Sequence, residues 1–230
     1  MADWKNGAYG HSFVASYSGG KDSTLALYKA MQVGKPIGLI MMLEEEGKRS
    51  RSHGMPPELI RAQAESIGLP VFTAATSWED YEANFMTLLA KAKSQGAEVL
   101  VTGDLDVPEH HCWHDRVTKN AGLGLAMPLW DMGHREAVLE FIQLGFVTTI
   151  VTVNLSLGMN VEDLGRILTL EYVEELEARG IDPCGEGGEF HTTVLDGPLF
   201  KHPIPVRHGE ILRDGKYAFL PLELDCNREE

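Results

Sequence analysis

The chain has 230 residues, 43% of them hydrophobic and 23% charged, with a formal net charge of −14. That composition suits one large domain or two small ones around a substantial core, and with no run of about 18 apolar residues it excludes a helical membrane span. It also argues against a nucleic-acid partner, whose binders carry more basic surface than the short Lys48-Arg49-Ser50-Arg51 cluster offers. No apolar signal-peptide core follows Met1, so a cytoplasmic protein is expected. Cys112, Cys184 and Cys226 are widely spaced and odd in number, which argues against a disulfide framework, a zinc ribbon or a dithiol site.

In chain order, an apolar β-prone stretch (Phe13, Val14, Ala15, Tyr17) leads through Ser18-Gly19-Gly20-Lys21-Asp22-Ser23-Thr24 into a helical one (Leu25, Ala26, Leu27, Tyr28, Ala30, Met31). The pattern then predicts a strand over 37–43 and a helix over 57–67, with proline near its start and Gly68 after its end. A short strand over 71–74 precedes an amphipathic helix over 80–94, with Asp80 as a cap and Tyr81, Phe85, Leu88 and Leu89 on one face. A strand over 99–102 ends at Gly103-Asp104, a helix covers 110–121, and 127–130 returns to the sheet. This βα alternation predicts an α/β fold with a doubly wound, mostly parallel sheet, whose ligands bind at the carboxyl ends of the strands. Beyond about residue 134 the pattern changes to a helix (136–144), a strand (147–154), an acidic helix (168–179) and a β-like tail (192–195, 204–207, 216–224). We read a nucleotide-binding domain over 1–133 and a smaller α+β domain for the acceptor substrate over 134–230.

The first glycine run has the layout of a phosphate cradle. Two adjacent glycines let the backbone turn tightly and aim N–H groups at an anion, and the helix that follows adds its own unpaired N–H groups. Lys21 adds charge, and Ser18, Ser23 and Thr24 add hydroxyls. The spacing is neither that of the common P-loop nor that of the dinucleotide fingerprint. Ser-Gly-Gly-Lys-Asp-Ser resembles instead the pyrophosphate loop of the ATP pyrophosphatases, the superfamily of GMP synthetase, asparagine synthetase and the transfer-RNA thiolation enzymes.

A second unusual stretch is Asp182-Pro183-Cys184-Gly185-Glu186-Gly187-Gly188-Glu189-Phe190-His191-Thr192. Two carboxylates and an imidazole within six residues can hold Mg²⁺, bind an amine or move protons; a glycine-rich hairpin with solvated charges is the bland alternative. Together with the first run, and with Asp196-Gly197-Pro198-Leu199-Phe200, this stretch resembles the diphthine–ammonia ligase family. Gln63-Ala64-Glu65-Ser66-Ile67-Gly68-Leu69-Pro70, Thr102-Gly103-Asp104 and Pro128-Leu129-Trp130 fit as well, so the likeness covers about residues 11–200.

The resemblance implies an adenine nucleotide alpha hydrolase-like fold and ATP-dependent amidation of a carboxylate, with AMP and pyrophosphate as by-products. The acceptor it implies is diphthine on elongation factor 2, the nitrogen source free ammonium, and the assembly a homodimer. Ser18, Gly19, Gly20, Lys21, Asp22, Ser23 and Thr24 would hold the ATP phosphates. Met41, Met42, Gly103 and Asp104 would complete the nucleotide site, the strand end at Met41–Leu43 meeting adenine through its backbone. Asp22 and Asp104 are the candidate Mg²⁺ ligands, with capping of the following helix the other role for Asp22. Lys21 and Asp22 would act on the triphosphate. Glu186, Glu189 and His191 are the candidates to bind ammonium and take its proton.

Competing readings keep the fold but move sulfur onto RNA, or make the chain an ATP- or AMP-sensing module. Other residues have plainer readings. His110 and His114 stand four apart, a metal-ligand spacing on a helix, but without a third ligand a solvated helix face is favoured. His53 is a phosphate or substrate candidate in an exposed basic loop. Glu174-Glu175-Leu176-Glu177 reads as a solvated face, and Cys184 as structural.

Overall fold

The computed structural model describes residues 7–51 and 54–225, so the His53 and Cys226 readings lie outside the described residues. The chain begins β1 (Ser12–Ser16), α1 (Lys21–Met31), β2 (Lys35–Leu43), α2 (Pro57–Ile67), β3 (Val71–Ala75) and α3 (Tyr81–Ser94). It continues β4 (Val99–Val101), α4 (Pro108–Ala121), β5 (Gly124–Ala126), α5 (His134–Gln143) and β6 (Val147–Asn154). Two short 3₁₀ turns, α6 (Leu170–Ala178), β7 (Phe190–Asp196), β8 (Val206–His208), β9 (Leu212–Asp214), β10 (Tyr217–Phe219) and β11 (Leu222–Leu224) complete it. The chain forms two compact units. The described residues 7–18, 22–51 and 68–132 make the first, and 19–21, 54–67 and 133–225 the second.

The first unit is built on a parallel five-stranded sheet of order β3-β2-β1-β4-β5. Central strands buried on both faces read as continuous apolar runs, which is why 37–43 was legible as a strand. Alternate residues Val14, Ile40, Met42, Phe72 and Leu100 form one core with Phe85, Leu88 and Leu89 of α3 and Val117 of α4. The chain steps from β1 to β2 and β3 on one side of the sheet and from β4 to β5 on the other. The order therefore reverses between β1 and β4, where doubly wound folds place their ligands.

Two details of this unit differ from the sequence reading. The last strand is Gly124–Ala126, while 127–130 form a turn closed by Trp130 N–H on the Met127 carbonyl at 3.1 Å. Pro128 has no N–H to add to a ladder, and the apolar Leu129 is buried in the turn. Asp80 stands at the cap position of α3, but its side chain makes no cap bond; it accepts from the Ser77 hydroxyl at 3.2 Å.

The second unit carries an antiparallel sheet of order β7-β6-β10-β9 and a two-stranded ribbon of β11 and β8. Its core includes Ile150 and Val153 of β6, Val194 of β7, Phe141 of α5, and Tyr172, Val173 and Leu176 of α6. The tail read as one strand over 216–224 is two: Leu220 N–H still reaches the Val151 carbonyl at 2.8 Å, and past Pro221 the chain leaves β6 and pairs with β8 instead. β9, whose residues are all exposed, went unread for lack of an apolar face. The acidic run on α6 is not merely solvated. Glu175 takes both guanidinium nitrogens of Arg166 at 2.6 and 2.7 Å, Glu177 takes Arg135 at 2.9 Å, and Leu176 is core. Among the described residues no helix is long and apolar enough to cross a membrane.

Candidate functional site

In the second unit the glycine run is sewn to β7. Gly19 has φ of +81°, and a Cβ there would stand 2.6 Å from Gln63 Oε1, so both conformation and space demand glycine. Its carbonyl accepts Val194 N–H at 2.9 Å and Gln63 Nε2 at 3.2 Å, and the same Nε2 donates to the Val194 carbonyl at 2.7 Å. Gln63, fully buried on α2, thus ties the turn to the strand. One step along, Lys21 N–H donates to Thr192 Oγ1 at 3.1 Å. Lys21 is only 5% exposed; its ammonium donates to the Cys184 carbonyl and stands 5.9 Å from the Phe190 ring centroid. The two motifs, about 165 residues apart in sequence, meet here through Gly19, Lys21, Cys184 and Thr192.

Within the second motif, Gly185 turns at φ +73°, where a Cβ would lie 2.9 Å from the Phe190 carbonyl. A Cβ on Gly187 would lie 2.6 Å from Glu189 Oε1, so this glycine makes room for the carboxylate. Glu189 Oε2 is buried with no hydrogen-bond partner among the described residues. A buried carboxylate oxygen without a donor is costly, and a cation or N–H donor arriving at it recovers that cost. Glu186 is half-buried and His191 lies on β7, beside Thr152 of β6. Cys184 is buried, in keeping with its structural reading.

In the first unit, Ser18 N–H reaches Ser23 Oγ at 3.3 Å and the two hydroxyls meet at 3.1 Å. A Cβ on Gly103 would stand 2.8 Å from the carbonyl carbon of Asp22 and the nitrogen of Ser23, so the end of β4 lies against the first turn of α1. That contact is the gathering of strand ends that βα alternation predicts at the switch point. Thr24 is fully buried, its hydroxyl 3.4 Å from the Tyr17 hydroxyl, whose ionisation burial pushes far up. Met41 and Met42 are buried on β2, and the Met42 carbonyl accepts Arg51 N–H at 3.1 Å.

Asp104 has a partner on each oxygen. Oδ1 meets His110 Nδ1 at 2.9 Å, and Oδ2 meets His114 Nε2 at 3.2 Å. Burial alone would raise this carboxyl, but the N–H bonds from His110 and His114 outweigh it and hold the group well below the usual carboxylate range. The solvated-face reading fails for His114, which is buried, and the exposed His110 faces the carboxylate as well. The i, i+4 spacing showed that the two imidazoles share a face. Nothing local showed that the face looks back onto the residue that ends β4.

Comparisons with known proteins agree along the chain. Residues 11–125 match the diphthamide synthase N-terminal domain, and 134–225 the diphthamide synthase C-terminal domain. The diphthine–ammonia ligases of Mus musculus and Homo sapiens are each 26% identical over 235 residues, covering 91% of this chain and 88% of theirs. That of Schizosaccharomyces pombe is 26% identical over 238 residues, but the chain spans only 38% of its length. A solved structure, described as a predicted subunit of tRNA methyltransferase from Methanocaldococcus jannaschii, aligns over 81% of this chain and 98% of its own at 16% identity and a TM-score of 0.46. With both domain models matched in order along one chain, this protein belongs to the diphthamide synthase family.

Proposed function

We propose that this protein is an ATP-dependent carboxylate–ammonia ligase of the cytoplasm that converts diphthine on elongation factor 2 to its amide. The observation that carries this reading is the junction of the glycine run with the second motif, with Lys21 on the Cys184 carbonyl and a carboxylate oxygen of Glu189 awaiting a donor. Support comes from the family and from relatives named diphthine–ammonia ligases.

A carboxylate is a poor electrophile, and adenylation gives it AMP as a leaving group. In this reading residues 1–133 serve the nucleotide and 134–230 the acceptor. Backbone N–H groups of 18–23, the Ser18 and Ser23 hydroxyls and Lys21 would hold the ATP phosphates and oppose the repulsion between triphosphate and carboxylate. Mg²⁺ would neutralise phosphate charge, with Asp22 and Asp104 the candidate ligands, the latter on giving up an imidazole.

The second half-reaction releases two protons. One leaves ammonium before its nitrogen attacks the carbonyl carbon, and one leaves that nitrogen as the C–O bond to AMP breaks. Glu186, Glu189 and His191 would bind ammonium and receive the first proton. Phosphorus NMR of the protein with Mg-ATP, ammonium and diphthine-bearing elongation factor 2 tests the chemistry. AMP and pyrophosphate that form only with the acceptor present are expected. ADP and phosphate, or bound nucleotide with no product, would overturn the reading, the second in favour of a sensor.

A further inference from the structure

Asp182, which the ligase chemistry above does not use, is the hub of the second motif. Its Oδ1 accepts Cys184 N–H at 2.9 Å. Its Oδ2 accepts Glu186 N–H at 3.2 Å and meets His134 Nδ1 at 2.7 Å. The Cys184 carbonyl in turn receives the Lys21 ammonium. One carboxylate therefore grips the peptides on either side of the Cys184 carbonyl that receives the lysine, and the second of these carries Glu186. His134 is the first residue of α5, so the imidazole is rooted in a helix rather than in the loop it braces. Both side chains are largely covered, 33% exposed for His134 and 20% for Asp182.

A loop with glycines at 185, 187 and 188 samples many conformations unless it is anchored. Asp182 supplies the anchor from the residue pair just before the loop, and His134 ties that anchor to the body of the unit. Small displacements of reacting groups are costly in rate, on the order of a hundredfold for an ångström.

We infer that Asp182 and His134 are positioning residues for the ligase reaction: Asp182 fixes Lys21 through Cys184 and fixes Glu186 directly, and His134 holds the Oδ2 arm that serves Glu186. The inference rests on the function proposed above, and the two half-reactions separate their failures. Acceptor-dependent exchange of pyrophosphate into ATP reads adenylation, and amide formation against ammonium concentration reads the second step.

In His134→Ala the exchange rate stays within about twofold while the KM for ammonium rises about tenfold, and His134→Asn, whose amide N–H can replace Nδ1–H, restores it. Asp182→Ala lowers both half-reactions by about tenfold or more. Parallel loss of both steps in a His134→Ala protein that unfolds at the parent temperature, or unchanged ammonium kinetics, would overturn the inference. If the parent protein itself shows no exchange, the proposed function falls, and amide hydrogen exchange decides the positioning: faster exchange confined to 184–189 in His134→Ala upholds it, and an unchanged pattern refutes it.

Discussion

Asp104 of the first unit and Glu189 of the second are both covered carboxylates that follow a glycine, and their surroundings are opposite. Asp104 has an imidazole on each oxygen and an ionisation held far below the ordinary range. Glu189 keeps Oε2 buried with no partner among the described residues, beside a glycine whose missing Cβ makes room for it. A carboxylate whose desolvation is offset inside the fold contributes to stability. One whose desolvation is not offset costs stability until a ligand arrives. The two should therefore separate stability from catalysis when substituted, although sequence alone placed both among the site candidates.

The largest expected effect lies with the charge that joins the two motifs. Lys21→Ala should lower acceptor-dependent AMP formation about a hundredfold or more, since it removes a fixed charge from the developing pyrophosphate; a quenched-flow assay of AMP would check this. Glu189→Gln keeps shape and volume but loses the charge that would draw ammonium. Amide formation should fall about tenfold or more while thermal stability holds or rises, and a marked loss of stability instead would erase the contrast with Asp104. Glu186→Gln should spare ATP binding, measured by calorimetry, and lower amide formation. Unchanged amide formation would remove Glu186 from its assigned role.

Asp104→Asn should reverse the pattern of Glu189→Gln. It removes a charge-assisted acceptor from two imidazoles and should cost about 2 kcal/mol of stability in chemical denaturation. The pH dependence has a fixed sign. A carboxyl depressed in the folded state stabilises fully above its unfolded value, about pH 4, and loses that contribution only as pH falls through the lower folded value. The gap between the parent and Asp104→Asn should thus be full at neutral pH and close only on strong acidification. The smallest effect is expected at His110, whose side chain is 60% exposed; His110→Ala should cost less than about 1 kcal/mol.

Much of the first unit was legible because parallel strands buried on both faces leave long apolar runs and their helices carry one apolar stripe. In the second unit the helix over 57–67 was found to the residue, since proline opens it and glycine follows it. Reading failed where local pattern and tertiary partner disagree. Met127, Leu129 and Trp130 look like a strand because they are apolar, yet they pack as a turn. β9 has no buried residue to announce it, and Pro221 divides a strand whose apolar pattern runs on. The site was legible as two motifs because glycine, lysine and paired carboxylates are unusual neighbours. Gln63, which ties the glycine turn to β7, and His134, which braces Asp182, act across long sequence separations and carry no local signal, while Asp182 stands within the second motif and grips residues two and four places on. For the same reason the pairing of His110 and His114 with Asp104 emerges only from the fold.

The central claim is that the joined motifs place ammonia nitrogen on an activated carboxylate. The most direct test is the mass of diphthine-bearing elongation factor 2 after incubation with the protein, Mg-ATP and isotopically labelled ammonium. The account predicts a carboxylate-to-amide mass change that carries the label, requires ATP and is lost in Lys21→Ala. An unaltered factor in the presence of all three reactants would contradict it.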